Sequence, residues 1–112
     1  MEKNGRVKEI IIRIAEKIRD NYHPEKIILF GSYAYGKPAK DSDIDIMIIK
    51  KDDSNTSPID RSVKVRRILA EENRQMAMTP IIYTPEEIEY RLSIGDDFVA
   101  EVLEKGKVIY AR

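Results

Sequence analysis

The 112-residue chain contains no cysteine and no tryptophan, and it has a single histidine, His23. Without cysteine it can form neither disulfides nor thiolate metal sites, and one histidine cannot build a histidine-based metal cluster. Twenty Lys and Arg residues balance twenty Asp and Glu residues. Since no net charge attracts the chain to nucleic acid or anionic lipid, a general nucleic-acid binder is disfavoured.

Long hydrophobic runs are also missing. No apolar stretch approaches the roughly 18 residues of a membrane span, and the first nine residues, MEKNGRVKE, are too polar for a signal peptide. Hydrophobic residues make up 42% of the chain and charged residues 36%, which is typical of a globular domain with a charged surface. We therefore expect one cytoplasmic domain over residues 1–112, and homo-oligomerisation stays open.

Hydrophobic periodicity and turn residues predict an α+β fold, a small mixed sheet with helices packed on it. Helices are predicted over residues 3–20, from 58 to about 73, from 84 to 95 and from 96 to 106, and strands over 26–30, 43–49, 77–83 and 107–110. The last helix is expected to direct Phe98, Val102 and Leu103 into the core.

Two acidic residues, Asp43 and Asp45, alternate with isoleucines in the second predicted strand. Residues two apart on a strand point to the same side, so the two carboxylates should project together. Adjacent carboxylates repel each other and need a cation or hydrogen-bond donors. Their hard oxygens favour Mg²⁺, with phosphates and water completing its coordination. A solvated strand edge is the alternative for an isolated Asp-x-Asp pair.

A glycine and a serine, Gly31 and Ser32, directly follow the first predicted strand and open a short helical turn that Gly36 ends. Glycine lets a ligand approach the backbone closely, and the first N–H groups of a helical turn, together with the Ser32 hydroxyl, can hold a phosphate. A plain tight turn is the alternative. In combination, the pattern brings phosphate donors and metal ligands to the same end of two neighbouring strands.

The run GSYAYGKPAKDSDIDIMII resembles the signature of the minimal nucleotidyltransferases, of the antitoxin type, in the DNA polymerase β-like superfamily. The similarity extends through YTPEEIEYR to EKGKVIY, and hence over nearly the whole chain. The signature positions are Gly31, Ser32, Gly36, Ser42, Asp43 and Asp45.

This resemblance implies a polymerase β palm-type fold and transfer of a nucleoside monophosphate, AMP from ATP, to a hydroxyl of a protein or RNA acceptor, with release of pyrophosphate. Asp43 and Asp45 would be the catalytic metal ligands for up to two Mg²⁺ ions, which would stabilise the attacking oxygen and the leaving phosphate. Gly31, Ser32, Gly36 and Ser42 would bind the nucleotide, with Gly31 and Ser32 on the β- and γ-phosphates.

The chain departs from the family pattern at two positions. Thr79 stands where active relatives often carry a third aspartate, and a hydroxyl is a poor substitute for a charge that bridges metal and activates the acceptor. Tyr35 stands where an arginine is common, which removes one phosphate contact. Lys37 or Lys40 could compensate, although both are equally explained as solvated loop lysines.

Two classes of function remain. One is an Mg²⁺-dependent nucleotidyltransferase. The other is an interaction module, because small members of this family are often antitoxin partners of helical HEPN-domain ribonucleases and can mask them by binding. A nucleotide sensor without turnover is a third reading. The basic run over residues 64–67 is most simply the wet face of a helix, and a nucleic-acid or partner contact there is the alternative.

Overall fold

The computed structural model describes residues 2–36, 38, 42–51 and 53–112. The helices within these residues are α1 (Glu2–Tyr22), α2 (Ser32–Tyr35), α3 (Pro58–Ile68), α4 (Ala70–Gln75), α5 (Pro85–Ser93) and α6 (Asp97–Lys105). The strands are β1 (Lys26–Phe30), β2 (Ile44–Ile49), β3 (Met78–Tyr83) and β4 (Lys107–Ala111). The predicted α+β class and element order are confirmed.

The strands form one mixed sheet in the order β3-β2-β1-β4. β1 runs antiparallel to both β2 and β4, whereas β2 and β3 are parallel. As a result the C-terminal end of β1 lies beside the N-terminal ends of β2 and β3, at one end of the sheet. In this register Asp45 lies opposite Phe30 on β1 and opposite Thr79 on β3.

Both faces of the sheet are covered, because alternate residues of each strand enter different hydrophobic clusters. The first face packs against α1 and α3 through Ile10, Ile14, Ile18, Tyr22, Ile27, Leu29, Ala34, Ile44, Ile46, Ile48, Val65, Leu69, Met78 and Ile82. The second packs against α5 and α6 through Ile28, Phe30, Met47, Ile88, Val99 and Val102. This double coverage explains why the second half of β2 is apolar throughout.

The structure corrects several of the predicted elements. The helix expected from 58 to about 73 is two helices, since it breaks at Leu69, whose backbone lies between α3 and α4. Asp43 immediately precedes β2 instead of starting it. In α6 the buried residues are Val99 and Val102, so the expected burial of Phe98 and Leu103 is wrong. Hydrophobic side chains at adjacent positions left the buried stripe of α6 ambiguous in the sequence.

A buried arginine, Arg61 in α3, joins four parts of the chain. Its guanidinium donates to both carboxylate oxygens of Glu87, at 2.5 and 3.1 Å, and to the carbonyls of Asp53 and Ile82 at 2.9 and 3.3 Å. Tyr22 from α1 donates to the Asp53 carboxylate at 2.5 Å. Glu87 also completes the capping box of α5. This network lies at the end of the sheet where β2 and β3 finish, and nothing in the sequence singled out Arg61.

None of the helices in the described part of the chain combines the length and the apolarity that crossing a bilayer requires.

Replacing Arg61 with alanine should lower the free energy of unfolding by about 3–5 kcal/mol, because it removes a buried guanidinium and leaves the Glu87 carboxylate and the Asp53 and Ile82 carbonyls without that donor. Arg66→Ala, on the exposed side of the same helix, is the matched control and should change it by less than about 0.5 kcal/mol. Urea denaturation of the two variants measures the difference. Equal effects would show that the network contributes little.

Candidate functional site

The Gly31 turn and the Asp45 side chain meet at the junction of β1 and β2. Gly31 has φ 73° and ψ −160°, a backbone conformation that is essentially restricted to glycine. A Cβ atom built on Gly31 would overlap the Asp45 carboxylate. The absence of a side chain therefore allows this carboxylate to lie against the backbone at the point where β1 turns into α2.

Asp43 and Asp45 come together as predicted, on the face opposite Ile44 and Ile46. Burial raises the pKa of the Asp45 carboxyl above its usual value, and repulsion from the Asp43 carboxylate raises it further. Asp43 is more exposed, and its Oδ2 accepts a long hydrogen bond from the Thr79 hydroxyl at 3.5 Å. The position expected for a third carboxylate therefore holds a neutral hydroxyl beside the pair.

The short helix α2 begins at Ser32, directly beside this acidic pair. Its first internal hydrogen bonds run from the N–H groups of Ala34 and Tyr35 to the Gly31 carbonyl, at 3.0 Å each. The N–H groups of Ser32 and Tyr33 precede these bonds, as is general for the start of a helix, and they are therefore available to an anion.

The other predicted nucleotide-binding residues lie around α2 and β2. Gly36 ends α2 in the left-handed conformation, φ 109°, as its position predicts, and donates its N–H to the Ser32 carbonyl. Ser42 is half-buried and adjoins Asp43. Tyr35 is 47% exposed at the end of α2. Lys37 and Lys40, the two lysines proposed to compensate for Tyr35, lie outside the described residues.

The donor set fits a cation that is bound jointly with a ligand. Two carboxylates project together, one of them with a pKa raised by partial burial and by the other's charge, and a divalent cation would relieve that repulsion. The described residues contain no cluster of three or more Asp, Glu, His or Cys side chains that could hold a metal alone. Mg²⁺ characteristically accepts one or two carboxylates and takes phosphate oxygens and water as its remaining ligands.

Several other residues that could have contributed to a site lie away from it or in the core. Met78 is buried in the first hydrophobic cluster. His23 is exposed between α1 and β1, where its carbonyl accepts from Lys50 Nζ at 3.5 Å. Lys64, Arg66 and Arg67 are exposed on α3, as expected for the wet face of a helix. One aromatic residue that the sequence had assigned to the core, Phe98, lies instead at the surface against Phe30.

Comparison with known proteins links this site to one family. Residues 11–109 match the family model described as the nucleotidyltransferase domain. A “putative protein adenylyltransferase” of Methanocaldococcus jannaschii is 33% identical over 110 residues, which cover 98% of this chain and all of that protein. Two further proteins of the same name and organism are 40% and 42% identical over 48 residues, or 43% of this chain. Those matches cover 56% and 48% of the two relatives, about half of their length.

Solved structures show the same fold. The crystal structure of a “putative nucleotidyltransferase” from Sulfolobus solfataricus superposes with a TM-score of 0.69 over 99% of this chain and 86% of that chain, at 22% identity. The BolA domain of SufE1 from Arabidopsis thaliana superposes with a TM-score of 0.52 over 67% of this chain and 91% of that chain, at 20% identity. Proteins that share a fold of this kind can have different functions, so a function has to be argued from the residues of the site.

Replacing Gly31 with alanine should destabilise the protein by more than the equivalent change at Gly36. Both glycines have positive φ, which costs an alanine about 1–3 kcal/mol, but the Gly36 position has no neighbouring atom within 4 Å. The added methyl at Gly31 also overlaps the Asp45 carboxylate. In a double-mutant cycle, Asp45→Ala should recover part of the loss, with a coupling energy of about 0.5–3 kcal/mol. Strict additivity in urea denaturation would contradict the close approach.

Replacing Asp45 with asparagine should raise the Tm of the ligand-free protein at pH 7. Because the native-state pKa of Asp45 is above its ordinary value of 3.8, the native state binds the proton more tightly than the unfolded chain. Stability therefore falls as the pH rises from about 3.8 through the raised native-state pKa, and the deficit persists at higher pH.

The Tm gain of Asp45→Asn should disappear near pH 3, where the wild-type carboxyl is protonated in both states. Asp60→Asn, in the first turn of α3, is the control and should give no gain, because an acidic residue there stabilises the helix N-terminus. Thermal unfolding followed by circular dichroism at both pH values tests this. A wild-type protein more stable than Asp45→Asn at pH 7 would contradict the assigned repulsion.

Proposed function

Since the chain belongs to the nucleotidyltransferase domain family, we propose that it transfers AMP from Mg²⁺-bound ATP to a hydroxyl group on a partner protein. The observation that carries the proposal is the convergence of Asp43, Asp45 and the Gly31 turn at one edge of the sheet. The names of the M. jannaschii relatives favour a protein acceptor over an RNA acceptor.

In this proposal Asp43 and Asp45 hold Mg²⁺, and the Ser32 and Tyr33 N–H groups with the Ser32 hydroxyl bind the β- and γ-phosphates. Gly36 and Ser42 shape the turn and the entry to β2 around them. Bound Mg²⁺ supplies charge neutralisation for the attacking oxygen and for the leaving phosphate. Gly31 keeps the phosphates close to the metal, because no side chain separates the turn from the Asp45 carboxylate.

The reaction forms a bond between the acceptor oxygen and the α-phosphorus and breaks the bond from that phosphorus to the β-phosphate oxygen. Pyrophosphate leaves, and the acceptor hydroxyl loses its proton. The Thr79 hydroxyl is not a base at neutral pH, and we propose that the proton passes to solvent or to a group on the partner. The partner is therefore proposed to contribute to the reaction as well as to receive AMP.

A second function is favoured by the neutral Thr79 hydroxyl at the position where a third carboxylate was expected. With Thr79 opposite Asp45, the site can bind Mg²⁺ and ATP yet turn over slowly or not at all. The chain would then act as an interaction module that masks a helical HEPN-type ribonuclease, in a toxin–antitoxin pair, by binding to it. The two functions share the nucleotide site and differ in whether a covalent product forms.

Incubation with Mg²⁺, a HEPN-domain protein as the candidate acceptor and ATP labelled at the α-phosphate should produce a labelled acceptor. Label from the γ-phosphate should not transfer. Asp43→Asn and Asp45→Asn should each reduce labelling by about 100-fold or more, because each removes a ligand charge that the transition state needs. Asp60→Asn, exposed on α3, should label normally.

Transfer of the γ-phosphate would show a kinase instead. If no adduct forms while both aspartate variants still bind the partner, masking by binding is the function. If the wild-type protein binds no ATP in the presence of Mg²⁺, the transferase and the nucleotide sensor are both wrong.

A further inference from the structure

An aromatic ring stands exposed beside the proposed nucleotide site. Phe98, in the first turn of α6, is 44% exposed, whereas Phe30, which it contacts, is only 8% exposed. The two ring centroids are 5.5 Å apart and the ring planes are at 78°. A phenylalanine that is nearly half exposed leaves substantial apolar surface in contact with water, and a ligand could cover that surface.

Phe98 lies on the same face and at the same end of the sheet as the acidic pair. Phe30 and Asp45 are direct neighbours in the β1–β2 register, so their side chains project to the same face. Phe98 packs on Phe30 from that face, through α6. The Phe98 ring thus contacts Phe30, which is the cross-strand neighbour of Asp45 and directly precedes the Gly31 turn.

The backbone that carries Phe98 is held in place. Asp96 caps α6 by accepting from the Val99 N–H at 3.1 Å, and Arg91 of α5 donates to Asp96 at 3.2 Å. The next residue, Val99, is fully buried against the sheet. Phe98 therefore does not depend on a bound ligand to reach its position, which is the condition for a preformed binding surface.

The perpendicular arrangement leaves a face of the Phe98 ring available. In an edge-to-face pair, Phe30 covers at most one face of Phe98, and 44% of the residue remains exposed. A flat, apolar ring of this kind is the usual stacking partner for a nucleobase. It would be within reach of the base of a triphosphate held at the Gly31 turn, because Phe30, which Phe98 contacts, directly precedes Gly31.

We propose that Phe98 is the stacking platform for the nucleobase of the bound triphosphate. This inference rests on the proposed function, because it needs the phosphates at Gly31 and Ser32. Every base has a stacking face, so a platform of this type binds purine nucleotides with little discrimination between adenine and guanine. Phe98 is then a determinant of affinity for the base and takes no part in bond making.

Binding of Mg-ATP and of Mg-tripolyphosphate, measured by calorimetry, separates the base from the phosphates. Phe98→Leu keeps an apolar contact with Phe30 but removes the ring, and it should weaken Mg-ATP binding by about fivefold or more while leaving Mg-tripolyphosphate binding unchanged. Phe98→Tyr should bind both as the wild-type protein does. Tyr90→Leu, which removes a 63% exposed ring from α5, is the matched control and should change neither.

The absence of tryptophan from the chain offers a second readout. Phe98→Trp introduces a single tryptophan, which can be excited selectively over the six tyrosines. Its emission should be quenched when Mg-ATP or Mg-GTP stacks on it and unchanged by Mg-tripolyphosphate. Tyr90→Trp should not respond to any of the three.

Mg-ATP binding that is equal in the wild-type protein and in Phe98→Leu would overturn the inference and leave the proposed function intact. Normal nucleotide binding with impaired transfer to the acceptor would assign the ring to the acceptor and would also overturn it. If the wild-type protein binds neither Mg-ATP nor Mg-tripolyphosphate, the proposed function itself fails, and the inference fails with it.

Discussion

The contact between the Gly31 backbone and the Asp45 carboxylate is the constraint on which the candidate site depends. It requires a residue without a side chain at the point where β1 turns into α2, and it requires β2 to begin in a register that directs Asp45 toward that turn. Antiparallel pairing of β1 and β2 meets both conditions. The proposed phosphate donors and metal ligands then lie together at one end of the sheet.

Function and stability oppose each other at this edge. Two neighbouring carboxylates, of which Asp45 is partly buried, raise the free energy of the ligand-free protein, and a cation with its phosphates would lower it again. A third carboxylate at Thr79 would increase the repulsion. The hydroxyl there, which donates to Asp43, leaves a site with less charge to neutralise. In the proposed function, such a site binds the nucleotide and depends on the partner for part of the chemistry.

Local patterns in the sequence predicted the strands and the acidic pair because the information lies within a few residues. Alternation of Asp and Ile fixes which way each side chain points, and Gly31 after an apolar run fixes the turn. The burial of Arg61 could not be predicted, because its partners Asp53, Ile82 and Glu87 are distant in sequence. Phe98 was placed in the core because periodicity alone could not separate it from Val99, and only the packing of α6 decides between them.

The Arg61 network and the acidic pair occupy opposite ends of the parallel strands β2 and β3. The polar groups of the Arg61 network, which hold helices together, therefore lie about the length of a strand away from the carboxylates proposed to bind the ligand. Substitutions near the starts of β2 and β3 can then alter recognition while the distant anchor keeps the domain folded. In the proposed function, a chain built in this way can acquire new acceptors over evolutionary time without first having to find a new core.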